Sequence, residues 1–521
     1  MVARADVVDA GGTSSVATGD GPGEYAFVLA ANRLPVDCVD PADKLAQWRR
    51  SPGGLVTALE PVMQRTDGAW VGWSGSAGEA PDPFDADGMH LVAVPLSAEE
   101  VEDSYEGFAN ATLWPLYHDV IVPPQFHRRW WDAYVTVNER FAVIAADQAA
   151  AGATVWVHDY QLQLVPAMLR RRRPDLRIGF FNHIPFPGYE IYAQLPWRRQ
   201  IVEGLLGADM VGFQRPADAT NFLRACRRAA GLQTRAGVVW VSERAGLGAH
   251  AGGLRTSEAS GDDAAGGRQV RVGAFPISID FAGFEDLARR HDVQARAEQI
   301  RRELGDPEIV LLGVDRLDYT KGIVHRLKAY EELLDSGRLG PPQAVLVQVA
   351  SPSRERVAEY QVLREEVEGI VGRINGSHAT LGQPAVHYLH HSYSPKEMAA
   401  LYRAADVMLV TSLRDGMNLV GKEYVACRHD ETGALVLSEF TGAADELGSA
   451  FLFNPHDIDG LKEAILRAAH VTPRESLRRM RSLRKRVRNY DVNRWASSFL
   501  DALQTAPSLP AQAALDHHLQ R

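Results

Sequence analysis

The segment DRLDYTKG (315–322) sets Arg316 and Lys321 five residues apart, directly after the apolar run IVLLGVD (309–315). Two cations at the end of a strand suit a diphosphate leaving group. They stabilise the charge that grows as its bond breaks, and they do so without a metal. The same two side chains would serve equally as surface partners of Asp315 and Asp318. A second segment, RDGMNLVGKEYVA (414–426), follows the run DVMLVTS (406–412) and opens a helix. Gly416 beside the turn lets backbone come close to a ligand. The N–H groups at the helix start, around Asn418, Leu419 and Val420, can hold phosphate oxygens. Asp415 and Glu423 stand in a D-x7-E spacing, which can serve two ends of one ligand. Asp415 and nearby amides would face sugar hydroxyls, and Glu423 ribose hydroxyls. The plainer reading is a capped helix with Glu423 on its solvated face.

Further polar residues sit where other apolar runs end. HDYQLQLVP (158–166) carries Asp159, which can accept a hydrogen bond from an acceptor hydroxyl. NHIPFP (182–187) carries His183, which can orient a donor sugar's hydroxyl. Both would also do as residues that tie loops together. ANRLPV (31–36) puts Arg33 at a strand end, where its guanidinium can grip an acceptor phosphate. SPGGLVTAL (51–59) offers Gly53 and Gly54 at a helix start as a phosphate loop. This is no GxGxxG, so a nicotinamide-binding turn is excluded. SYEGFANATLWPLYH (104–118) carries Tyr105 and Trp114; an indole offers a sugar a flat apolar face and an N–H, though a buried core position is commoner. No GxSxG elbow, Walker A loop or HExxH helix occurs, and no cluster has metal-ligand spacing.

These residues need elements to position them. Short apolar runs recur at 25–31, 153–158, 177–183 and 208–213, and again at 309–315, 344–350, 406–412 and 434–439. Each has the length of a strand buried on both faces. Helical stretches such as QFHRRWWDAYVTVNERFAVIAADQ and RERVAEYQVLREEVEGIVGRIN lie between them. Alternating strands and helices predict an α/β protein of two doubly wound, Rossmann-like domains, with ligands beyond the carboxyl ends of the strands, in the cleft between the domains. The expected division is a disordered leader over 1–23, a first domain over 24–274 and a second over 275–489. A helix over 490–505 is expected to pack back on the first domain, followed by a frayed tail over 506–521. The polar, glycine-rich stretch 242–269 reads as a mobile surface insertion.

The chain has 521 residues, 45% of them hydrophobic, too many for one compact core. A net charge of −10, without a long basic block, gives no call for nucleic acid or an anionic membrane. Cys38, Cys226 and Cys427 are too few and too scattered for a disulfide framework. With no signal peptide and no membrane-length apolar stretch, a cytoplasmic location is expected.

The ordered set NR, GGL, LWP, HDYQL, HIPFP, DRLDYTKG, SPSR and RDGMNLVGKEYVA, from about Tyr25 to about Asp501, resembles the trehalose-6-phosphate synthases. These are retaining glycosyltransferases of GT-B architecture, with two facing Rossmann-like domains. The resemblance implies transfer of glucose from a nucleotide-glucose to glucose 6-phosphate. It implies no cofactor and no metal, the nucleotide-glucose being a substrate, and a homodimer or homotetramer. It assigns Arg33, Tyr105, Trp114, Asp159 and Arg354 to the acceptor, with Arg33 and Arg354 on its phosphate. It assigns Gly53, Gly54, Arg316, Lys321, Tyr393, Asp415, Gly416, Met417, Asn418, Leu419, Val420, Gly421, Lys422 and Glu423 to the donor. Asp159, His183, Arg316 and Lys321 would carry the catalysis. Tyr393 stands where the family usually has Phe, and Gly421 where some relatives have Ala. A cyclitol-joining pseudo-glycosyltransferase and a catalytically silent regulatory relative are the competing readings. ANATLWPLYH and DRLDYTKG have the synthase form, which speaks against the first; every carried-over position holds a competent residue, which speaks against the second.

Overall fold

The computed structural model of the chain describes residues 23–38, 48–50, 56, 59, 60, 62, 63, 66, 68–241 and 267–507. Gly53 and Gly54, the leader before residue 23, nearly all of the stretch 242–269 and the tail from 508 lie outside these described residues. The chain forms two compact units, Met1–Phe275 with Ala496–Arg521, and Pro276–Trp495.

The first unit is built on a ten-stranded sheet. Its seven parallel strands run, in spatial order, Arg268–Ala274, Met210–Phe213, Arg177–Phe181, Ala149–His158, Tyr25–Arg33, Ala69–Trp73 and Met89–Ala93. Antiparallel strands close the edges, Gln233–Arg235 with Val238–Val241 on one side and Phe84–Ala86 on the other. The centre is apolar on both faces, as parallel strands require: Val28, Leu29, Val155, Trp156, Val157 and Phe180 are all fully buried. The first strand of the chain lies in the middle, and strand order reverses between it and Ala149–His158. A reversal of this kind opens a crevice at the carboxyl ends of the two strands. Arg33 and Asp159 stand at those two ends.

The helix Val492–Gln504 completes the core of this unit from Ala496 onward. Phe499 stacks on Trp156 at 4.8 Å between ring centroids. Its ring also covers Gly179 and Gly212, where a Cβ would come within 2.9 and 2.7 Å of it. The Arg177 guanidinium donates to the carbonyls of Leu503 and Ala506, at 3.1 and 2.7 Å.

The second unit carries six strands, all parallel, in the order Val386–Leu389, Ala344–Ser351, Ile309–Arg316, Val407–Val410, Ala434–Ser438 and Phe451–Phe453. In chain order this is 3-2-1-4-5-6, the doubly wound arrangement of dinucleotide-binding folds. Its reversal falls between Ile309–Arg316 and Val407–Val410, the strands that lead into DRLDYTKG and RDGMNLVGKEYVA.

The α/β reading holds, with two sheets of parallel strands. Several shorter strands were not expected from the sequence, among them Ala69–Trp73, Met89–Ala93 and Val386–Leu389. Arg268 and Gln269, assigned above to the insertion, are strand residues paired with Val241 and Trp240. The two long helices run Arg128–Gln148 and Ala358–His378, each starting later than its apolar periodicity suggests. Among the described residues no helix is long and apolar enough to cross a membrane.

Candidate active site

The site residues divide between the two units. In the first, Arg33 points from its strand end to Asp37, which it meets at 2.6 Å. Its guanidinium lies 5.1 Å over the Trp73 ring, and that ring contacts Tyr105 at 5.6 Å. Gly75, at φ 95°, leaves the guanidinium its space; a Cβ there would collide with it. Tyr105 belongs to the π-helical segment Val101–Leu113, which runs into the helix Trp114–Tyr117. Such wide turns are rare and recur at functional sites. Trp114 is only 4% exposed, packed against His118 at 4.2 Å and Tyr160 at 5.6 Å, so it serves as a wall of this cluster.

Asp159 has φ 74° and ψ 170°, a conformation that side chains ordinarily avoid. The strain fixes the direction of its carboxylate. Oδ1 accepts the N–H of Tyr160 at 2.9 Å and that of His183 at 3.1 Å, so Asp159 bridges the ends of two neighbouring strands. His183 Nε2 meets His158 Nδ1 at 3.0 Å, and Gln214 Nε2 lies 3.4 Å from His183 Nδ1. Burial pushes the His183 pKa down to about 3. Burial, and then the charge His183 would carry, hold His158 well below the usual histidine range. Both rings are neutral near pH 7, so one nitrogen of each donates and the other accepts.

In the second unit two loops interlock at the strand reversal. Thr411 Oγ1 donates to the carbonyls of Lys321 and Gly322, each at 3.1 Å, and Leu413 N to that of Thr320 at 2.7 Å. Gly322 needs its φ of 63°, because a Cβ would strike the Thr411 carbonyl. Lys321 Nζ thereby reaches Asp415 Oδ2 at 2.6 Å. Ser412 Oγ and Asn418 Nδ2 approach the same oxygen, at 3.3 and 3.5 Å. Asn418, at φ 82°, caps the helix Leu419–Cys427 by accepting from Gly421 N at 3.0 Å. The first-turn amides of Leu419 and Val420 have no intrahelical acceptor, so this end of the helix suits an anion. Arg316 stands half exposed, 3.9 Å from Asp318. Asp315 pairs with the buried Arg326 at 2.6 Å, leaving Arg316 and Lys321 to other partners.

Not every predicted residue turns its side chain to this cluster. Lys422 is 1% exposed, and its ammonium bonds Glu446 at 2.5 Å and the Ile277 carbonyl at 2.8 Å. Assigned to the donor side as one residue of the run Leu419 to Glu423, it spends its side-chain charge inside the unit. Met417 is likewise buried. Glu423 accepts from the Tyr402 hydroxyl at 2.8 Å, and burial raises its pKa. Tyr393 is half buried against His391, with ring centroids 4.3 Å apart. Arg354, assigned with Arg33 to one phosphate, lies in the second unit, whereas Arg33 lies in the first. The sequence reading passed over Asp318, Tyr360, His158 and Gln214. Asp318 was visible only as a neighbour of Arg316 in the sequence; nothing in the spacing marks it as fully buried. Among the described residues no group of three or more His, Cys, Asp or Glu side chains is arranged to hold a metal.

The chain is similar to known proteins in sequence and in fold. The pattern described as glycosyltransferase family 20 matches residues 25–505. Trehalose-6-phosphate synthase of Mycolicibacterium gilvum is 57% identical over 483 residues, covering 92% of this chain and 93% of its own. The crystal structure of a UDP-forming α,α-trehalose-phosphate synthase from Burkholderia xenovorans, in complex with glucose-6-phosphate, superposes with a TM-score of 0.80 at 32% identity; 92% of this chain and 99% of that one are covered. The E. coli protein bound with UDP-2-fluoro glucose gives 0.80 at 32% identity, covering 93% and 100%.

Proposed function

Since this chain belongs to glycosyltransferase family 20, we infer that it carries that family's reaction through the two clusters just described. It transfers glucose from UDP-glucose to glucose 6-phosphate, giving trehalose 6-phosphate and UDP. The observation that carries the residue-level reading is the meeting of Arg316, Lys321 and the helix start at Leu419 around one strand reversal. That is where a nucleotide diphosphate binds in a doubly wound sheet.

In this reading Arg316, Lys321 and the amides of Leu419 and Val420 hold the diphosphate, and Glu423 takes the ribose hydroxyls. Asp415 holds Lys321 and, with nearby amides, the glucose hydroxyls. Arg33, Tyr105, Trp114 and Asp159 serve glucose 6-phosphate, and Arg354 is assigned to its phosphate. His183, kept neutral, orients a hydroxyl of the donor glucose. The bond from anomeric carbon to phosphate oxygen breaks as charge collects on the leaving diphosphate, where the cations stabilise it. The 1-hydroxyl of the acceptor bonds that carbon on the same face, and its proton passes to the departing phosphate oxygen. The α configuration is kept, and no carboxylate nucleophile is needed. Positioning and charge stabilisation supply the acceleration.

The reaction needs no metal in this account, and the test is direct. UDP-, ADP- and GDP-glucose are each incubated with glucose 6-phosphate, with and without EDTA. An α,α-1,1-linked disaccharide phosphate, made fastest from UDP-glucose and undiminished by EDTA, is expected. Loss of turnover in EDTA, restored by a divalent ion, would overturn metal independence. Buried, unbridged Cys226 and Cys427 suit a reducing cytoplasm. The family resemblance supports a homodimer or homotetramer, which sedimentation would read.

A further inference from the structure

Asp318 is fully buried, yet it belongs to the loop that carries Arg316 and Lys321. Its Oδ1 accepts the N–H and the hydroxyl of Thr320, at 3.0 and 2.8 Å, which fixes the turn Tyr319–Lys321. Its Oδ2 accepts from Arg354 Nη1 and from the Tyr360 hydroxyl, each at 3.1 Å. Tyr360 also bonds the Arg354 guanidinium and packs beneath it, 5.4 Å from ring centroid to Cζ. Arg316 Nη2 lies 3.9 Å from that same Oδ2. The register explains the convergence: Arg316 pairs with Ser351 across adjacent parallel strands, so DRLDYTKG and SPSR leave the sheet side by side. The Arg354 side chain is only 5% exposed, and its backbone holds φ 50°, uncommon for a residue other than glycine.

We propose that Asp318 is a positioning residue that holds Arg354 at the acceptor phosphate while sharing its charge with Arg316. A carboxylate between two guanidiniums offsets their repulsion and orders both. It touches no substrate itself. Without its charge, Arg354 loses its anchor, and Arg316 and Arg354 repel across a neutral amide. The cations around Asp318 act in the same sense on its own ionisation. Burial alone would raise its pKa, but Arg354, Arg316 and Lys321, with the Thr320 N–H, hold it down to about 2. The carboxylate is therefore ionised throughout the neutral range.

The proposal rests on the reading of Arg354 as a phosphate ligand, and the experiment separates the two. Asp318→Asn, Tyr360→Phe and Arg354→Ala are compared with the parent, using glucose 6-phosphate and unphosphorylated glucose as acceptors. Thermal unfolding confirms that each variant is folded. Arg354→Ala is expected to lower kcat/KM for glucose 6-phosphate at least tenfold more than for glucose. Asp318→Asn should do the same, chiefly through KM for glucose 6-phosphate. Tyr360→Phe should shift the ratio in the same direction, by about threefold, and carries the test alone if Asp318→Asn fails to fold. If Arg354→Ala leaves the ratio unchanged, the phosphate reading falls. If Arg354→Ala collapses the ratio but Asp318→Asn, or Tyr360→Phe where that variant carries the test, lowers both acceptors equally, Asp318 is a structural residue and the proposal is wrong.

Discussion

Lys321 Nζ lies 2.6 Å from Asp415 Oδ2, so a cation at the end of one strand is held by a carboxylate at the end of its neighbour. Neither residue is placed by its own loop alone; the interlocking hydrogen bonds of Thr411 and Leu413 set the distance. Lys321→Ala or Arg316→Ala should lower kcat by about 10²-fold or more, as loss of one preorganised charge partner does elsewhere. Steady-state assays at saturating substrates give the number. An unchanged kcat in either variant removes that residue from the leaving-group site.

Tyr402 and Glu423 make a second pair, joined at 2.8 Å. With its hydroxyl on Oε2, Tyr402 fixes the rotation of the carboxyl group that the proposed reading assigns to the ribose. Tyr402→Phe should raise KM for UDP-glucose by roughly tenfold, the scale of one hydrogen bond to a charged group. The same variant should discriminate less between UDP-glucose and its 2′-deoxyribose analogue. Equal losses on both donors would mean that Tyr402 only supports packing.

Two glycines in this region invite opposite outcomes. A Cβ at Gly421 would meet its nearest atoms at 3.6 to 3.7 Å, which is ordinary contact, inside a helix. Gly421→Ala should therefore stabilise the protein by about 0.5–1 kcal/mol, the helical cost of glycine. A Cβ at Gly442 would strike the carbonyl of Gly416, in the segment RDGMNLVGKEYVA. Gly442→Ala should lower the unfolding midpoint and raise KM for UDP-glucose together. Chemical denaturation of the two variants beside the parent decides both.

The histidine pair sets a pH dependence. Burial depresses both folded-state pKa values below the unfolded 6.5, so below about pH 6.5 the unfolded chain binds protons that the folded one refuses. Stability is full above that pH and falls steadily as the pH drops toward the folded value, about 3 for His183. Between about pH 7.5 and about pH 5.5 each ring should account for about 1 kcal/mol of that loss. Urea unfolding of His183→Asn at the two pH values should show a smaller drop than the parent. An equal drop would mean that His183 is not held neutral.

The parts legible in the sequence are those where one segment carries its own signal. Runs such as IVLLGVD and AVLVQVA read as strands because they are short and rich in β-branched residues, where a buried helix would need a longer stretch. The strand ends then placed Arg33 and Arg316 as last strand residues, and Asp159 and Asp415 on the loops that follow their strands. Strands such as Val386–Leu389 escaped because His387 and Tyr388 interrupt the apolar run. The depth of the Lys422 side chain was not legible for a different reason. One turn into a helix, depth is decided by what packs outside it, and Glu446 and the Ile277 carbonyl are remote in sequence. Asp318 was hidden in the same way, since two of its donors, Arg354 and Tyr360, are remote in sequence.

Phe499 fills the space over Trp156, Gly179 and Gly212, yet it is made long after them. A ribosome adding roughly 5–20 residues per second needs about 10–45 s to pass from Phe275 to Phe499. During that interval the first sheet waits with an uncovered aromatic surface while the strands of the second unit emerge and can fold. The order of synthesis is thus reversed in the order of completion: the half begun first is finished last, and nascent chains arrested before the final helix should be the ones that need chaperones.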